Sequence, residues 1–248
     1  MRASFGKPEL RAVFENIGKA LSCDVEVFLI GGGAMCFRNQ KNATKDLDIV
    51  FRSEKECRRF IRALENLGFE KHKIVEAEYK KMKAAGIWQN KAGFRFDIFV
   101  KKVCGALELS KSMASRSELL EKFANLEVRV VSNEDIMLFK GITERVDDAN
   151  DIAAIVRTSK IDWNIIMEEC ITQSKAASWY GLLYNKLAEI KERHGIDAPI
   201  AGKILRLYKK SLVKEAYAGY IKKGLKHEEA IAELKKRGFT QKEIGDAS

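Results

Sequence analysis

The stretch LIGGGAMCFRNQKNATKDLDIVF, residues 29–51, joins a run of three glycines to two aspartates that flank a single leucine. The short β-branched segment in front of the glycines, Val25–Ile30, predicts a buried strand that ends in a tight turn. We expect a short helix from Ala34 after this turn, and a second strand over Leu47–Phe51. A glycine turn lets phosphate oxygens approach backbone N–H groups, because no side chain intervenes.

The two aspartates of this stretch are expected to share one face of the second strand. Side chains alternate along a strand, so Asp46 and Asp48 point the same way while Leu47 enters the core. The alternating segment over residues 94–100 predicts a third strand that carries Asp97. Carboxylate oxygens are the ligands that Mg²⁺ prefers. Three carboxylates beside a phosphate-binding turn are typical of a two-metal site for phosphoryl or nucleotidyl transfer.

The rest of the chain divides by pattern into a mixed first part and a helical second part. Apolar spacing predicts helices over residues 9–21 and 54–67 and further strands over residues 73–78, 86–89 and 126–131. From residue 134 the pattern is helical, with breaks near residues 157–160, 174–175, 195–199 and 224. We therefore expect an α/β domain with a mixed sheet over residues 1–131 and an α-helical domain over residues 132–248.

The charge and composition of the chain indicate which partners it binds and in which compartment it is found. The net charge of +10 favours polyanionic partners such as nucleotides or nucleic acid. From Asn185 onward the chain holds fifteen Lys or Arg against nine Asp or Glu. The five cysteines form no C-x-x-C pair, which argues against a zinc site or a disulfide framework and fits a reducing cytoplasm. No run of about eighteen apolar residues occurs, so we expect no membrane insertion.

Other phosphate-binding motifs are excluded by spacing. The glycine run does not complete G-x-G-x-x-G, because Cys36 occupies the last glycine position, and no G-K-[ST] follows for a P-loop. The segment IGGGAMCFRNQKNATKDLDIVF instead resembles the signature of the polymerase-β-like nucleotidyltransferase superfamily. That signature has an apolar residue, Gly-Gly or Gly-Ser, a spacer and Asp-x-Asp with apolar neighbours. The spacer here is the twelve residues 34–45, a length within the range of that signature.

A second segment extends the resemblance. EDIMLFKGITERVDDANDIAAIV, residues 134–156, looks like the helical segment of a small bacterial and archaeal branch that includes abortive-infection toxin nucleotidyltransferases. In that branch a lysine, an arginine and spaced aspartates follow the last strand, at positions held here by Lys140, Arg145, Asp148 and Asp151. Two positions depart from the pattern. Gly33 stands where a serine is frequent, and Asp147 stands where many relatives carry a basic residue.

The resemblance implies a nucleotidyltransferase-like α/β fold that binds a nucleoside triphosphate through Mg²⁺ or Mn²⁺. It implies nucleotidyl transfer to an acceptor hydroxyl, with pyrophosphate leaving. The implied catalytic and metal-binding residues are Asp46, Asp48 and Asp97. The implied nucleotide-binding residues are Gly31, Gly32, Gly33, Lys45, Lys140 and Arg145.

Several alternatives stay open at this point. The acceptor is RNA, protein or a small molecule, and the nucleobase, the oligomeric state and a toxin or antitoxin role are not fixed by the sequence. A non-catalytic nucleotide- or nucleic-acid-binding regulator on the same fold is the alternative to an enzyme. Lys140 also fits a surface lysine. Residues 226–244 predict a helical pair with Gly238 and Thr240 at the turn, which either contacts RNA or is a solvated surface.

Overall fold

The computed structural model describes residues 3–72, 86–103, 105, 107–143, 145, 147–174 and 177–245. The strand predicted over residues 73–78 lies outside these residues. The described residues fall into two compact units, one within Met1–Thr143 and Ala154–Ile161, the other within Glu144–Ala153 and Asp162–Ser248. The predicted domain boundary after residue 131 stays a prediction.

Nine strands and eleven helices occur in the described ranges. Up to residue 141 they are α1 (Lys7–Ala20), β1 (Val25–Ile30), α2 (Gly31–Phe37), β2 (Leu47–Phe51), α3 (Glu54–Asn66), β3 (Glu70–Lys71), β4 (Gly86–Gln89), β5 (Arg95–Val100), β6 (Lys102–Val103), β7 (Leu107–Glu108), α4 (Lys111–Arg116), β8 (Glu118–Phe123), β9 (Leu126–Val130) and α5 (Asn133–Gly141). The helices that follow are α6 (Asp148–Thr158), α7 (Trp163–Gln173), α8 (Ala177–His194), α9 (Ala201–Lys222), α10 (His227–Lys236) and α11 (Gln241–Gly245).

Seven strands form one mixed sheet in the order β3-β4-β5-β2-β1-β9-β8, and β6 pairs with β7 in a separate small sheet. β1 is antiparallel to β2 and parallel to β9, while β2 is parallel to β5. The other neighbours in the large sheet are antiparallel. The predicted α/β fold with a mixed sheet is confirmed. The strand that carries the second aspartate of the motif lies at the centre of this sheet, between β1 and β5.

Local signals in the sequence account for the elements that surround the motif. The strands predicted at residues 25–30, 47–51 and 86–89 are confirmed at those residues. α3 begins where Ser53 accepts a hydrogen bond from the backbone N–H of Glu56 at 3.2 Å, and it ends just before Gly68. α4 and β8 were not predicted, because their residues show no clean period of 3.6 or 2.

Aromatic packing sets which face of the central strands carries the aspartates. The ring of Phe60 on α3 lies 5.2 Å from that of Phe51 on β2 and 5.7 Å from that of Phe96 on β5, measured between centroids. All three rings are fully buried. Side chains alternate along a strand, so the residues next to these rings point to the opposite face. Asp48 and Asp97 are therefore held on the face of the sheet away from α3.

The helices of the second unit end where the sequence indicates breaks. α7, α8 and α9 end at Gln173, His194 and Lys222. The described side chains of α9, α10 and α11 enclose a small apolar cluster, which contains Val213, Leu234, Ile244, Ala216, Tyr217, Tyr220, Ile231 and Phe239. At the turn of the predicted helical pair, Gly238 has φ +90° and Thr240 Oγ1 accepts from the backbone N–H of Glu243 at 3.2 Å. In the parts of the chain described here, no helix combines the length and apolar character needed to cross a bilayer.

Candidate functional site

The backbone passes directly from β1 into α2 at the first glycine of the motif. Gly31 has φ +60°, in the left-handed region that favours glycine. A Cβ atom on this residue would lie 2.3 Å from Oδ2 of Asp48, well inside van der Waals contact. Gly31 is therefore required twice, by its own backbone conformation and by the close approach of the motif carboxylate.

The other two glycines make different close contacts. A Cβ on Gly32 would lie 2.6 Å from Oγ1 of Thr44, and a Cβ on Gly33 would lie 2.7 Å from Cδ2 of Leu47. Gly32 thus lies against the loop that precedes Asp46, whereas Gly33 is buried against the core. A serine in place of Gly33 would not fit this packing without displacement of the leucine. The role of the three glycines as a phosphate cradle stays a prediction.

The structure corrects where the helix after β1 begins. We expected a tight turn at the glycines followed by a helix from Ala34, but the helix already begins at Gly31. The reason is the absence of side chains at residues 31–33, which lets the chain turn sharply after Ile30 and continue at once with helical geometry. The resulting helix is only seven residues long.

Asp46 and Asp48 are both half-buried, but they are held in different ways. β2 begins at Leu47, so Asp46 precedes the strand and the expected position on it was wrong. Its backbone is fixed instead by Thr44, whose Oγ1 donates to the carbonyl oxygen of Asp46 at 2.9 Å. Asp48 lies on the strand itself, opposite Ile30 of β1. Whether the side chains of Asp46 and Asp48 share one face stays a prediction.

Asp97 is on β5, in register with Asp48 on the parallel strand β2. Its side chain is fully buried and forms an ion pair with Arg95, which is 6% exposed. Arg95 Nε donates to Oδ1 at 2.7 Å, and Nη2 donates to Oδ2 at 3.3 Å. Both carboxylate oxygens of Asp97 are thus bound by one guanidinium. The sequence analysis did not single out Arg95, although Arg-x-Asp on a strand places both side chains on one face.

The loop between α2 and Asp46 is fixed by contacts from other parts of the first unit. Arg38 Nε and Nη2 both donate to the carbonyl oxygen of Val131, at 3.1 and 2.9 Å. Phe5 and Thr44 exchange two backbone hydrogen bonds of 2.8 and 3.0 Å. The ring of Phe5 also stacks on Phe94, with centroids 3.6 Å apart, directly before β5. The segment in front of α1 thereby connects the loop before Asp46 to the start of the strand that carries Asp97.

The three predicted phosphate-binding cations occupy dissimilar positions. Lys45 is exposed. Lys140, on the last turn of α5, is 8% exposed, so its interpretation as a surface lysine is wrong. Arg145 belongs to the second unit, where its backbone carbonyl accepts from Lys186 Nζ at 3.1 Å. Binding of phosphate by these residues stays a prediction.

A second arginine–aspartate pair, with the aspartate fully buried and the arginine 25% exposed, lies in the same unit. Arg116 Nη2 donates to Oδ1 of Asp135 at 2.7 Å, and the aspartate side chain is fully buried. Asp135 also accepts from Ser132 Oγ at 2.9 Å, within the expected N-terminal cap of α5. Because Ser132 is the N-cap residue, this pair is explained by the start of a helix. It provides an internal comparison for Arg95 and Asp97.

The donor set fits a hard divalent cation only in part. Asp46 and Asp48 offer half-buried carboxylate oxygens, the donor type that Mg²⁺ prefers, and the carboxylate of Asp48 occupies the space where Gly31 has no side chain. Asp97 fits less readily, because Arg95 already donates to both of its oxygens and a metal ion there would lie beside the guanidinium charge; its role as a metal ligand stays a prediction. Over the described residues, no group of three or more His, Cys, Asp or Glu side chains is arranged to hold a metal ion.

Comparison with known proteins agrees with the motif. No curated protein matches the chain. A family model described as "Nucleotidyltransferase of unknown function (DUF6036)" matches residues 8–193, which include the glycine segment, all three aspartates, Lys140 and Arg145. The match covers three quarters of the sequence. The chain therefore belongs to this family of nucleotidyltransferases of unknown function.

Proposed function

We propose that the protein transfers a nucleoside monophosphate from a nucleoside triphosphate to an acceptor hydroxyl, with pyrophosphate as the leaving group. The observation that carries this proposal is the close approach of Gly31 to the carboxylate of Asp48, which no other residue type would permit. Family membership supports the same class of reaction. A glycine backbone directly beside a carboxylate is what a cation-bound triphosphate requires, because phosphate and metal must be held side by side.

In this proposal Asp46 and Asp48 hold Mg²⁺, which Mn²⁺ can replace. The bound cation supplies charge neutralisation for the triphosphate and the departing pyrophosphate. The N–H groups of the glycine segment approach the phosphate oxygens, because no side chain stands in the way. Lys45 and Lys140 are assigned to the remaining phosphate charge. Asp97 is assigned to the acceptor hydroxyl, which it orients or deprotonates.

A narrower assignment is also part of the proposal. The order of Lys140, Arg145, Asp148 and Asp151 supports a place near the branch that includes abortive-infection toxin nucleotidyltransferases. A toxin of this kind arrests growth when it is expressed. Expression of the protein from a tightly controlled promoter, beside the Asp48→Asn variant, tests this assignment. Equal growth of both cultures would contradict it.

The alternative is a regulator that binds nucleotide or nucleic acid without catalysis. The exposed lysines at the end of α9 and the start of α10, among them Lys222, Lys223 and Lys226, favour a polyanionic contact in the second unit. Such a protein would bind nucleotide or RNA and leave both unchanged. The two functions therefore differ in whether a covalent product forms.

A labelling experiment separates these functions. The full chain is incubated with each α-³²P-labelled nucleoside triphosphate, Mg²⁺, cellular RNA and a protein extract, and the RNA, protein and small-molecule fractions are then counted. We expect label in one fraction, with pyrophosphate released, and no label with the Asp48→Asn variant. If triphosphate binds but no fraction carries label from any of the four nucleotides, the transfer proposal is wrong and the regulator is favoured.

A further inference from the structure

The ion pair of Arg95 and Asp97 is built into the sheet and is not a surface contact. Both residues are on β5, two positions apart, so their side chains leave the same face of the strand. The aspartate is fully buried and the arginine is 6% exposed. The guanidinium binds both carboxylate oxygens, which gives the pair a fixed, bidentate geometry.

The pair of Arg95 and Asp97 lies next to the second aspartate of the motif. Asp97 is in register with Asp48 across the parallel strands β2 and β5, and neighbouring strands are about 4.8 Å apart. Carboxylates on adjacent strands repel each other, more strongly where one of them is shielded from water, unless a cation lies close to them. In a two-metal site a second divalent ion provides that charge. Here a guanidinium already lies on the buried carboxylate.

We propose that Arg95 takes the place of the second divalent cation at Asp97, so that this site binds one metal ion per nucleotide. The metal ion lies at Asp46 and Asp48, and Arg95 is the permanent counter-ion of Asp97. This inference rests on the proposed function and departs from the two-metal arrangement expected from the sequence. Asp97 then acts on the acceptor hydroxyl beside Arg95 and not beside a second ion.

The cost of rearrangement supports a permanent pair. A divalent ion on Asp97 would lie beside the guanidinium of Arg95, and two cations on one carboxylate shielded from water repel each other strongly. If Arg95 left instead, its charge would be buried without this partner. An exposed pair, such as Arg58 with Glu54, separates at little cost because water takes over each charge. The burial of the Arg95 pair thus favours its retention when nucleotide binds.

The stoichiometry of bound metal tests the inference directly. Full-length protein is dialysed to equilibrium against Mn²⁺ and each α,β-methylene nucleoside triphosphate, and bound manganese is divided by bound nucleotide. We expect a ratio of one for the natural protein and two for Arg95→Ala, because the space vacated at Asp97 then admits a cation. Arg116→Ala, which takes the arginine from the fully buried Asp135, is the matched control and should keep a ratio of one. A ratio of two for the natural protein overturns the inference and leaves the proposed function standing.

A second experiment tests the inference in the absence of nucleotide. The melting temperature is measured with and without Mn²⁺ for the natural protein, Arg95→Ala, and the double variant Arg95→Ala with Asp97→Asn. Mn²⁺ should raise the melting temperature of Arg95→Ala by about 5 °C more than that of the natural protein, and this difference should vanish in the double variant. Arg95→Gln replaces Arg95→Ala in both experiments if the alanine variant does not fold, since its amide still donates to Asp97 without carrying charge.

The outcomes of the two experiments are separable. If no nucleotide binds to any variant, the proposed function fails, and the manganese response alone decides the role of Arg95. If Mn²⁺ stabilises the natural protein and the Arg95 variant equally, the guanidinium does not stand in for a cation and the inference is wrong.

Discussion

Asp48 and Asp97 are directly opposite each other on parallel strands, yet their carboxylates have different environments. Asp48 is half-buried and faces the backbone of Gly31, whereas Asp97 is fully buried and bound by Arg95. Equivalent positions in a sheet thus have inequivalent chemistry. The first lies against the backbone of a glycine, and the charge of the second is neutralised by a guanidinium of the protein itself.

Replacement of either motif aspartate should abolish transfer without loss of the fold. Asp46→Asn and Asp48→Asn remove one negative ligand each and relieve repulsion on the sheet face, so we expect nucleotidyl transfer to fall by at least about 100-fold at unchanged or higher melting temperature. Asp24→Asn is the control, because that aspartate is exposed and pairs with the surface residue Lys122. Full transfer activity in both motif variants would contradict their assignment as metal ligands.

Gly31→Ala should destabilise the protein more than the same change at Gly68. Both glycines have positive φ, and for each an alanine pays roughly 1 to 2 kcal/mol of backbone strain. No atom lies within 4 Å of a Cβ at Gly68, whereas a Cβ at Gly31 meets the carboxylate of Asp48. We expect the free energy of unfolding from urea titration to fall by at least about 1 kcal/mol more for Gly31→Ala.

A double variant isolates the contact. Combining Gly31→Ala with Asp48→Ala removes the carboxylate, so the extra loss relative to Gly68→Ala should disappear. Equal losses of stability for the two single glycine variants would mean that the helix start relaxes away from Asp48 at little cost.

Nucleoside triphosphate should stabilise the protein only together with a divalent cation. The triphosphate is strongly anionic and would lie beside the carboxylates of Asp46 and Asp48, which repel it without a bridging metal ion. At a hundredfold excess over Kd, binding contributes about 2.7 kcal/mol, which is a measurable rise in melting temperature. A similar rise in the presence of a chelator would place the nucleotide elsewhere on the protein.

The exposed lysines of the second unit should contribute to RNA binding, if RNA is the acceptor. Replacing Lys222, Lys223 and Lys226 with glutamine removes three positive charges next to the turn after α9. For single-stranded RNA, the slope of log affinity against log salt should then fall by about 2, or roughly 0.7 for each lost phosphate contact. Binding of the metal–triphosphate complex should not change.

The matched control for the lysine variants removes the same charge from the first unit. Lys55, Lys91 and Lys111 are exposed there, and their replacement with glutamine should leave the salt slope unchanged. Equal effects of both triple variants would indicate that net charge, and not the surface after α9, attracts the RNA.

Two buried thiols should resist alkylation in the folded protein. Burial raises the pKa of the Cys57 thiol to about 11 and that of Cys170 to about 12, so both stay protonated at pH 8 to 9. Cys23 is partly exposed and should react first with iodoacetamide, as read by mass spectrometry of the digest. Since thiolates form only in the unfolded chain between about pH 9 and 11, stability should fall as the pH rises through that range. Early labelling of Cys170 would show that α7 opens readily.

The elements around the motif were predictable because their signals are local. An apolar run that stops at glycines defines β1, and Ser132 with Asp135 three residues later defines the start of α5, where the serine accepts from the Asp135 N–H at 3.2 Å. Such patterns depend only on residues within one or two turns. They predicted the first and last residue of the strand that carries Asp48 correctly.

Properties that depend on contacts between residues distant in sequence were not predictable in the same way. On β5 the alternation of FRFDIFV indicates a face open to water, but the structure buries both Arg95 and Asp97. Whether the polar face of a sheet is exposed to solvent depends on the helices and loops that pack against it. The sequence of one strand contains no information about those elements. The bond between Thr44 and the Asp46 carbonyl is likewise invisible in a pattern, because it depends on how the loop returns to Phe5.

The parallel pairing of β1 with β9 has a consequence for protein synthesis. Val25 pairs with Leu126 and Leu29 with Val130, so one edge of the strand that leads into the glycines waits for a partner made about 100 residues later. At roughly 5 to 20 residues per second on the ribosome, that delay lasts about 5 to 20 s. During this interval β1 presents an unpaired apolar edge, the kind of surface on which nascent chains aggregate. The yield of folded protein in a cell should therefore depend on ribosome-associated chaperones that shield β1 until β9 has emerged.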